Sequence, residues 1–320
     1  RGGRGGGMPP ASTLQWKAGG LGFFAILRHS PPSSVIIHFP AMSFRFDVHT
    51  HAFHPKIADK VVRQLEAHYH IPPIGSGCYE DLEPRLRRAR LDFCCIHSAA
   101  TKPEQVEPAN NWAIALKAHP GVIPFGTMHP GYGHIEDELA RLWDNGVRGI
   151  KLHPDFQGFR VDDPRLDRFF GAIEGHFTLM LHVGDVLPPA ENPTCPYKTA
   201  ALKRKYPKLQ LIAAHFGGVH HWKYVIDAMK GMEIYMDTSS SLWTIEQPVL
   251  EAIFRAFPRH LFLYGSDYPL FDPADELQRL QRRLRLSDHE VEELLTNANA
   301  LKLADGQAPL PQQSGEAGQG

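Results

Sequence analysis

The chain has 320 residues, of which 42% are hydrophobic and 22% charged, and its 34 basic and 35 acidic side chains give a formal net charge of -1. This balance provides no electrostatic footprint for nucleic acid or an anionic membrane, and no apolar run approaches the ~20 residues that a spanning helix needs. We therefore expect a soluble, cytoplasmic protein with no nucleic-acid or membrane partner.

The two ends of the chain differ in composition from its middle. Residues 1–41 contain Arg and Gly but no Asp or Glu, which favours an extension outside the fold, disordered or non-native, over an organellar targeting segment. Residues 305–320 are rich in Gly, Gln, Pro and Ser and predict a disordered tail. The folded domain is expected over residues 42–304.

Apolar strand-like runs alternate with amphipathic helical patterns across this domain, for example a helix over Lys56–His70. The predicted strands are Phe44–His49, Asp92–His97, Val122–Met128, Val147–His153, Phe177–Val183, Leu209–His215, Glu233–Thr238 and Leu261–Gly265. Eight β/α units in about 260 residues predict an α/β fold, a TIM (β/α)₈ barrel. An open doubly wound sheet is the alternative, weakened by the lack of a Gly-x-Gly-x-x-Gly turn after the first strand.

Polar residues recur where the predicted strands end, which is where TIM barrels carry their active sites. His49 and His51 end the first strand, and side chains two apart on a strand share a face, so both can bind one ion. Asp47 has the same parity and is expected one layer deeper, orienting them.

Single histidines, His182 and His215, stand where the fifth and sixth apolar runs stop, and the glycine that follows each would let the backbone approach a ligand. Asp267 follows the eighth run after a Gly-Ser step. A lone histidine is more often structural, and a lone aspartate is a common turn residue. As a ligand, Asp267 would add a hard oxygen to neutral imidazoles, a set that favours Zn²⁺ and also suits Mn²⁺, Fe²⁺ or Co²⁺.

Taken together and in order, the motifs at these strand ends resemble the amidohydrolase superfamily. They are Asp47-Val48-His49-Thr50-His51, Gly149-Ile150-Lys151-Leu152-His153-Pro154, Leu181-His182-Val183-Gly184, Ala214-His215-Phe216-Gly217-Gly218, Met236-Asp237-Thr238-Ser239 and Tyr264-Gly265-Ser266-Asp267-Tyr268-Pro269. The resemblance covers about Phe44 to Leu303 and is greatest to the amidohydrolase-related group, which includes aminocarboxymuconate-semialdehyde decarboxylase-like enzymes.

The resemblance implies one divalent ion, held by His49, His51, His182 and Asp267. It also implies that His215 is the partner of the metal-bound water, and Asp267 is expected to accept a proton as well.

The fourth strand leaves two alternatives open. Lys151 and His153 lie two apart and share a face, so either can contact the substrate. Binuclear relatives instead use a carboxylated lysine or a glutamate at this strand end to bridge a second ion. The loops over residues 155–163 and 185–197 are expected to form specificity walls.

These features predict a metal-dependent hydrolase in which water attacks the carbonyl of an ester, lactone or amide, with a small-molecule carbonyl or carboxylate as substrate. The alternative is a metal-dependent decarboxylase of an unsaturated or aromatic acid, which the ligand set does not separate. A histidinol-phosphatase-like barrel is disfavoured because such enzymes commonly end in Asp-x-His, and Asp267-Tyr268-Pro269 lacks that histidine. A barrel that binds metal without catalysis is a further alternative, and a homodimer is allowed but not indicated.

Overall fold

Eight parallel strands pair in sequential order to form a single sheet in the computed structural model, which describes residues 43–312. They are β1 (Phe46–Thr50), β2 (Phe93–Ile96), β3 (Val122–Thr127), β4 (Gly149–Leu152), β5 (Thr178–Leu181), β6 (Gln210–Ala213), β7 (Tyr235–Asp237) and β8 (Phe262–Leu263). Val48 N donates to Tyr264 O (2.9 Å) and Asp267 N donates to His49 O (2.7 Å), which joins the two edges of the sheet. The predicted TIM barrel is confirmed, whereas residues 1–41 lie outside the described part of the chain.

Helices connect successive strands, as right-handed β/α crossovers require. They are α1 (Pro55–Tyr69), α2 (Tyr79–Arg88), α3 (Val106–Leu116), α4 (Ile135–Asp144), α5 (Pro154–Gln157), α6 (Asp167–Ile173), α7 (Pro196–Lys205), α8 (Val225–Met229), α9 (Gln247–Ala256), α10 (Pro273–Leu284) and α11 (Asp288–Thr296). Pro55 suits the first turn of α1, and His70 ends it in a left-handed conformation (φ 56°). Among the described residues, none of these helices has the length and apolar character needed to cross a bilayer.

Alternate strand residues fill the inside of the barrel with apolar side chains, and residues from the C-terminal part of the domain cover its amino end. Leu301 and Leu303 pack on this interior cluster and close it from below. The cluster residues in the strands, or directly after one in the case of Ala214, are Phe46, Val48, Phe93, Cys95, Ile123, Phe125, Met180, Ile212, Ala214 and Leu263. The polar layer of the barrel is therefore confined to its carboxyl end.

The first strand departs from regular pairing between Asp47 and Thr50, where the register with β2 shifts. A bulge of this kind breaks the alternation of faces, which is why Val48 lies in the interior cluster while His49, the next residue, also faces into the barrel mouth. In a regular strand, the alternation of faces would place Asp47 one layer below the two histidines. Because of the bulge, Asp47 does not take this position. Its Oδ1 instead accepts hydrogen bonds from the backbone N–H groups of His49 (3.1 Å) and Ser266 (3.0 Å), which ties β1 to the chain after β8.

Part of the predicted disordered tail packs on the amino end of the barrel. Gly121 N donates to Ala308 O (2.8 Å), Leu310 N donates to Asp92 O (2.8 Å), and the Leu310 side chain is buried. Residues 305–312 of the predicted tail are thus held against the barrel in this structure by one buried leucine and two backbone hydrogen bonds. Residues 313–320 lie outside the described range.

Candidate metal centre

Three of the predicted ligands converge at the carboxyl end of the barrel. Nε2 of His51 lies 3.1 Å from Asp267 Oδ1, and Nε2 of His49 lies 3.5 Å from the same oxygen. Ligand atoms bound to one Zn²⁺ at about 2.1 Å, with tetrahedral or octahedral angles, are roughly 3.0–3.5 Å apart. The observed spacing therefore fits ligands that share one ion.

Both histidines have their Nδ1 atoms occupied by acceptors. His51 Nδ1 donates to the backbone carbonyl of His97 (3.0 Å), and His49 Nδ1 donates to Asp237 Oδ2 (2.9 Å). Because a neutral imidazole carries one proton, each Nε2 then presents its lone pair beside Asp267. These hydrogen bonds fix the tautomer that metal coordination requires.

Asp237, at the end of β7, organises this support and was given no role in the sequence analysis. Besides His49 Nδ1, its carboxylate accepts from the backbone N (2.9 Å) and the Oγ (2.5 Å) of Ser239. Ser239 Oγ lies 3.0 Å from Nδ1 of both His49 and His215. Burial would raise the pKa of Asp237, but its interactions with the imidazoles of His49 and His215 and the hydrogen bond from Ser239 outweigh it, so the pKa lies below its ordinary value and the group stays ionised.

His182, the fourth predicted ligand, does not join the group of His49, His51 and Asp267, whose ligand atoms lie within 4.8 Å of one another. Its Nδ1 lies 3.0 Å from His215 Nε2, and its own Nε2 is buried and has no hydrogen-bond partner within the described range 43–312. A buried imidazole nitrogen without a partner is costly, and coordination to an ion would satisfy it. The donor set as a whole therefore fits a divalent ion.

His215 follows β6 with a left-handed backbone (φ 63°), and Asp267 shares this conformation (φ 65°). Such conformations are uncommon outside glycine and occur often at functional sites. His215 Nδ1 donates to Ser239 O (3.2 Å), and burial lowers the pKa of the imidazole, so it stays neutral. The hydroxyl of Ser240 donates to Asp267 Oδ2, the oxygen that does not face the strand-one histidines.

Lys151 and His153, the predicted substrate-binding residues, have different surroundings. Lys151 is buried with its Nζ 3.3 Å from His49 Nε2, and burial lowers its pKa to about 8. His153 uses both ring nitrogens within the chain, since Nδ1 accepts from Phe156 N (3.4 Å) and Nε2 lies 3.2 Å from the hydroxyl of Tyr69. The ring of His153 is also stacked between those of Phe156 and His182, at centroid distances of 4.1 and 3.7 Å.

Two other residue groups have ligand atoms within 4.8 Å of one another. They are His49, His215 and Asp237, and His153, Asp155 and His182. In the first group, Asp237 holds the Nδ1 proton of His49. In the second, both nitrogens of His153 have hydrogen-bond partners, whereas Asp155 Oδ2 and His182 Nε2 have none among residues 43–312. The group of His49, His51 and Asp267 is therefore the better-defined candidate site.

Gly184, which follows His182, serves packing rather than ligand approach. It has φ 83°, and a Cβ at this position would lie 2.2 Å from the backbone oxygen of Val219. The glycine therefore allows the chain after β5 to lie against the chain after β6, next to both strand-end histidines.

Comparison with known proteins gives one family match. A family model described as Amidohydrolase matches residues 46–303. No curated protein matches the chain. The match spans every strand and every candidate ligand described above.

Solved structures with the same fold include an uncharacterized TIM-barrel protein from Bordetella bronchiseptica, with 17% identity, a TM-score of 0.60, and coverage of 82% of this chain and 97% of that one. A probable 2-pyrone-4,6-dicarboxylic acid hydrolase from Acinetobacter baumannii with citric acid bound has 15% identity, a TM-score of 0.57, and coverage of 81% and 98%. The 5-carboxyvanillate decarboxylase from Novosphingobium aromaticivorans, complexed with manganese and 4-hydroxy-3-methoxy-5-nitrobenzoic acid, has 18% identity, a TM-score of 0.59, and coverage of 81% and 95%. At these identities the likeness establishes the fold.

Proposed function

The chain belongs to the amidohydrolase family, and on this premise we propose that it is a metal-dependent hydrolase in which water attacks the carbonyl carbon of an ester, lactone or amide. The observation that carries the proposal is the convergence of His49 Nε2 and His51 Nε2 on Asp267 Oδ1, at 3.5 and 3.1 Å. Neutral imidazoles and an ionised carboxylate are proton acceptors, which suits a reaction in which water loses a proton.

His49, His51, His182 and Asp267 would hold one divalent ion. Zn²⁺ is our first choice because of the nitrogen and oxygen donors, and Mn²⁺ is the main alternative because it is bound in a decarboxylase of the same fold. When bound, such an ion supplies Lewis acidity and lowers the pKa of water to about 7. The substrate class is a small molecule with a carbonyl or carboxylate group.

The proton of the attacking water passes to His215 in this proposal. Its Nδ1 is anchored on Ser239 O, so Nε2 carries the lone pair, and burial keeps the ring neutral. In this structure the lone pair accepts from His182 Nδ1 (3.0 Å), a contact that the water would replace. Asp267 is the second acceptor, and the hydrogen bond from Ser240 fixes its carboxylate plane. Lys151 places a buried ammonium group beside His49, where it can interact with negative charge that develops on the substrate.

Decarboxylation of an unsaturated or aromatic acid is the second candidate, and Lys151 is the observation that favours it. A buried ammonium group that has no carboxylate of residues 43–312 in hydrogen-bond contact can pair with a substrate carboxylate. Proteins of the same fold include 2,6-dihydroxybenzoate decarboxylase and 5-carboxyvanillate decarboxylase. Both reactions would use the same ligand set.

Product analysis on metal-loaded protein distinguishes the two reactions. Protein loaded with Zn²⁺ or Mn²⁺ is incubated with lactones, amides and esters, including 2-pyrone-4,6-dicarboxylate, and with carboxyl-labelled 5-carboxyvanillate and 2,6-dihydroxybenzoate. Acid formation from a lactone, amide or ester supports hydrolysis, and release of labelled CO₂ supports decarboxylation. Turnover that survives complete removal of the metal by a chelator would contradict both candidates.

A further inference from the structure

We propose that the hydroxyl of Tyr69 contacts the substrate and donates a hydrogen bond to its carbonyl or carboxylate oxygen, and that His153 positions this hydroxyl. The inference rests on the proposed function, because it assumes that the substrate binds at the metal centre. The sequence predicted that His153 contacts the substrate, and the proposal assigns this contact instead to Tyr69, the last residue of α1.

Tyr69 reaches the barrel mouth from outside the strand-end motifs. Its hydroxyl lies 3.2 Å from His153 Nε2, and its ring lies 5.8 Å from that of Phe156. Burial, followed by the carboxylates of Asp267, Asp185 and Asp155, raises the pKa of Tyr69 well above its ordinary value. The phenol is therefore neutral and retains its proton.

The tautomer of His153 determines which partner donates. The backbone N–H of Phe156 can only donate, so His153 Nδ1 accepts from it (3.4 Å), and the ring proton resides on Nε2. His153 Nε2 then donates to the oxygen of Tyr69, and the hydrogen of the tyrosine hydroxyl is not used in this contact. Among residues 43–312 the hydroxyl has no other hydrogen-bond partner.

Stacking holds this donor in a fixed place relative to the metal centre. The rings of Phe156, His153 and His182 are nearly parallel, with interplanar angles of 8° and 12° between neighbours. His182 is itself a proposed ligand, so the position of His153, and through it that of the tyrosine oxygen, is tied to the ion site. A donor fixed before the substrate arrives needs little reorganisation when negative charge develops on an acceptor oxygen.

Removal of the hydroxyl alone tests the contact. Tyr69→Phe keeps the ring, and Tyr132→Phe is the matched control because the Tyr132 hydroxyl bonds to Glu107 at an exposed site (2.7 Å). Calorimetry measures the affinity of zinc-loaded protein for benzoate, a simple aromatic carboxylate. We expect Tyr69→Phe to bind benzoate about tenfold more weakly, with unchanged zinc content, and Tyr132→Phe to match the wild type.

The positioning role of His153 has its own test in the same assay. His153→Ala should weaken benzoate binding as Tyr69→Phe does, and His153→Gln should restore part of the loss, because the Gln amide can donate from near the position of Nε2. In the absence of the tyrosine hydroxyl, His153→Ala should have little further effect. An effect of His153→Ala that is equally large in the Tyr69→Phe background contradicts positioning through Tyr69.

Equal benzoate affinity of the wild type and Tyr69→Phe, including the absence of binding by both, overturns the substrate contact. So does ¹⁵N NMR of the zinc-loaded protein if it shows the proton of His153 on Nδ1. These measurements are independent of turnover. If no lactone, amide, ester or acid is converted but Tyr69→Phe still binds benzoate more weakly, the proposed reaction fails while the assignment of Tyr69 stands.

Discussion

The two ends of the barrel use their buried volume in opposite ways. At the carboxyl end, His49, Asp237 and Asp267 are buried polar groups connected by hydrogen bonds, and the backbone of Asp267 adopts an unfavourable left-handed conformation. At the amino end, Leu301 and Leu303 close an apolar interior. Buried polar groups are costly unless every one is satisfied, whereas apolar packing stabilises the fold without specific partners. The difference indicates that the amino end supplies stability and the carboxyl end the chemistry.

The largest expected effect is the loss of the ion from the carboxyl end. His49→Ala removes a ligand and the partner of Asp237, so bound metal should fall from about one ion per chain to nearly none while circular dichroism still shows the folded barrel. His134→Ala, at an exposed position, is the control and should keep its ion. Full metal content in His49→Ala would remove this residue from the ligand set.

The comparison predicts the reverse result at the amino end. Leu301→Ala leaves a cavity below the barrel interior and should lower the free energy of unfolding by about 2–5 kcal/mol, with metal affinity unchanged. Urea unfolding and metal titration of the same variant measure both quantities. A large loss of metal affinity with little loss of stability would reverse the roles that we assign to the two ends.

Asp237→Asn tests whether a residue that is not a proposed ligand affects metal affinity through the orientation of His49. An amide cannot accept from His49 Nδ1 and from the backbone N–H of Ser239 without turning its NH₂ group toward a donor, so the histidine loses its orientation. We expect metal affinity to fall about 10–100-fold in competition with a chelator. Asp144→Asn, at an exposed position, is the control, and equal affinities of the two variants would contradict the role of Asp237.

The smallest expected effect concerns the rim, where Asp272 pairs with Arg88 and Arg85. Burial would raise the pKa of Asp272, but hydrogen bonds from these two side chains lower it below the ordinary value. A pKa lowered by folding adds stability above the pKa of the unfolded chain, about 4, and this stability is lost as the pH falls toward the folded value.

Asp272→Asn should therefore be less stable than the wild type near neutral pH, by about 1 kcal/mol or less, and the difference should shrink below about pH 4. Thermal unfolding of both proteins from pH 3 to pH 7 measures this difference. The two proteins share all other carboxylates, so the effects of their titration on stability largely cancel. A difference that does not depend on pH would show that the ion pair contributes nothing through its charge.

The barrel itself was predictable because apolar runs and helical periodicity are local signals. Seven of the eight described strands lie within their predicted ranges, and β1 extends one residue beyond its range, to Thr50. The positions of the candidate ligands at the strand ends could be read from the same local signals. The register shift after Asp47 was not, since it depends on pairing with β2 and β8. Tyr69 was missed because α1 carries no motif, and only the folded chain brings the end of this helix beside His153.

The contacts of Phe44 and Leu310 have a consequence for the order in which the molecule is completed during synthesis. Phe44 exchanges two hydrogen bonds with the Asn299 side chain (2.7 and 3.1 Å), and Leu310 donates to Asp92, just before β2. On the ribosome, the residues that precede β1 and β2 emerge well before Asn299 and Leu310, so their contacts with these two residues form only after the rest of the barrel has been synthesised. A nascent chain that has emerged only as far as Ala304 would leave the contact surface of Leu310 beside Asp92 exposed to water until Leu310 itself emerges.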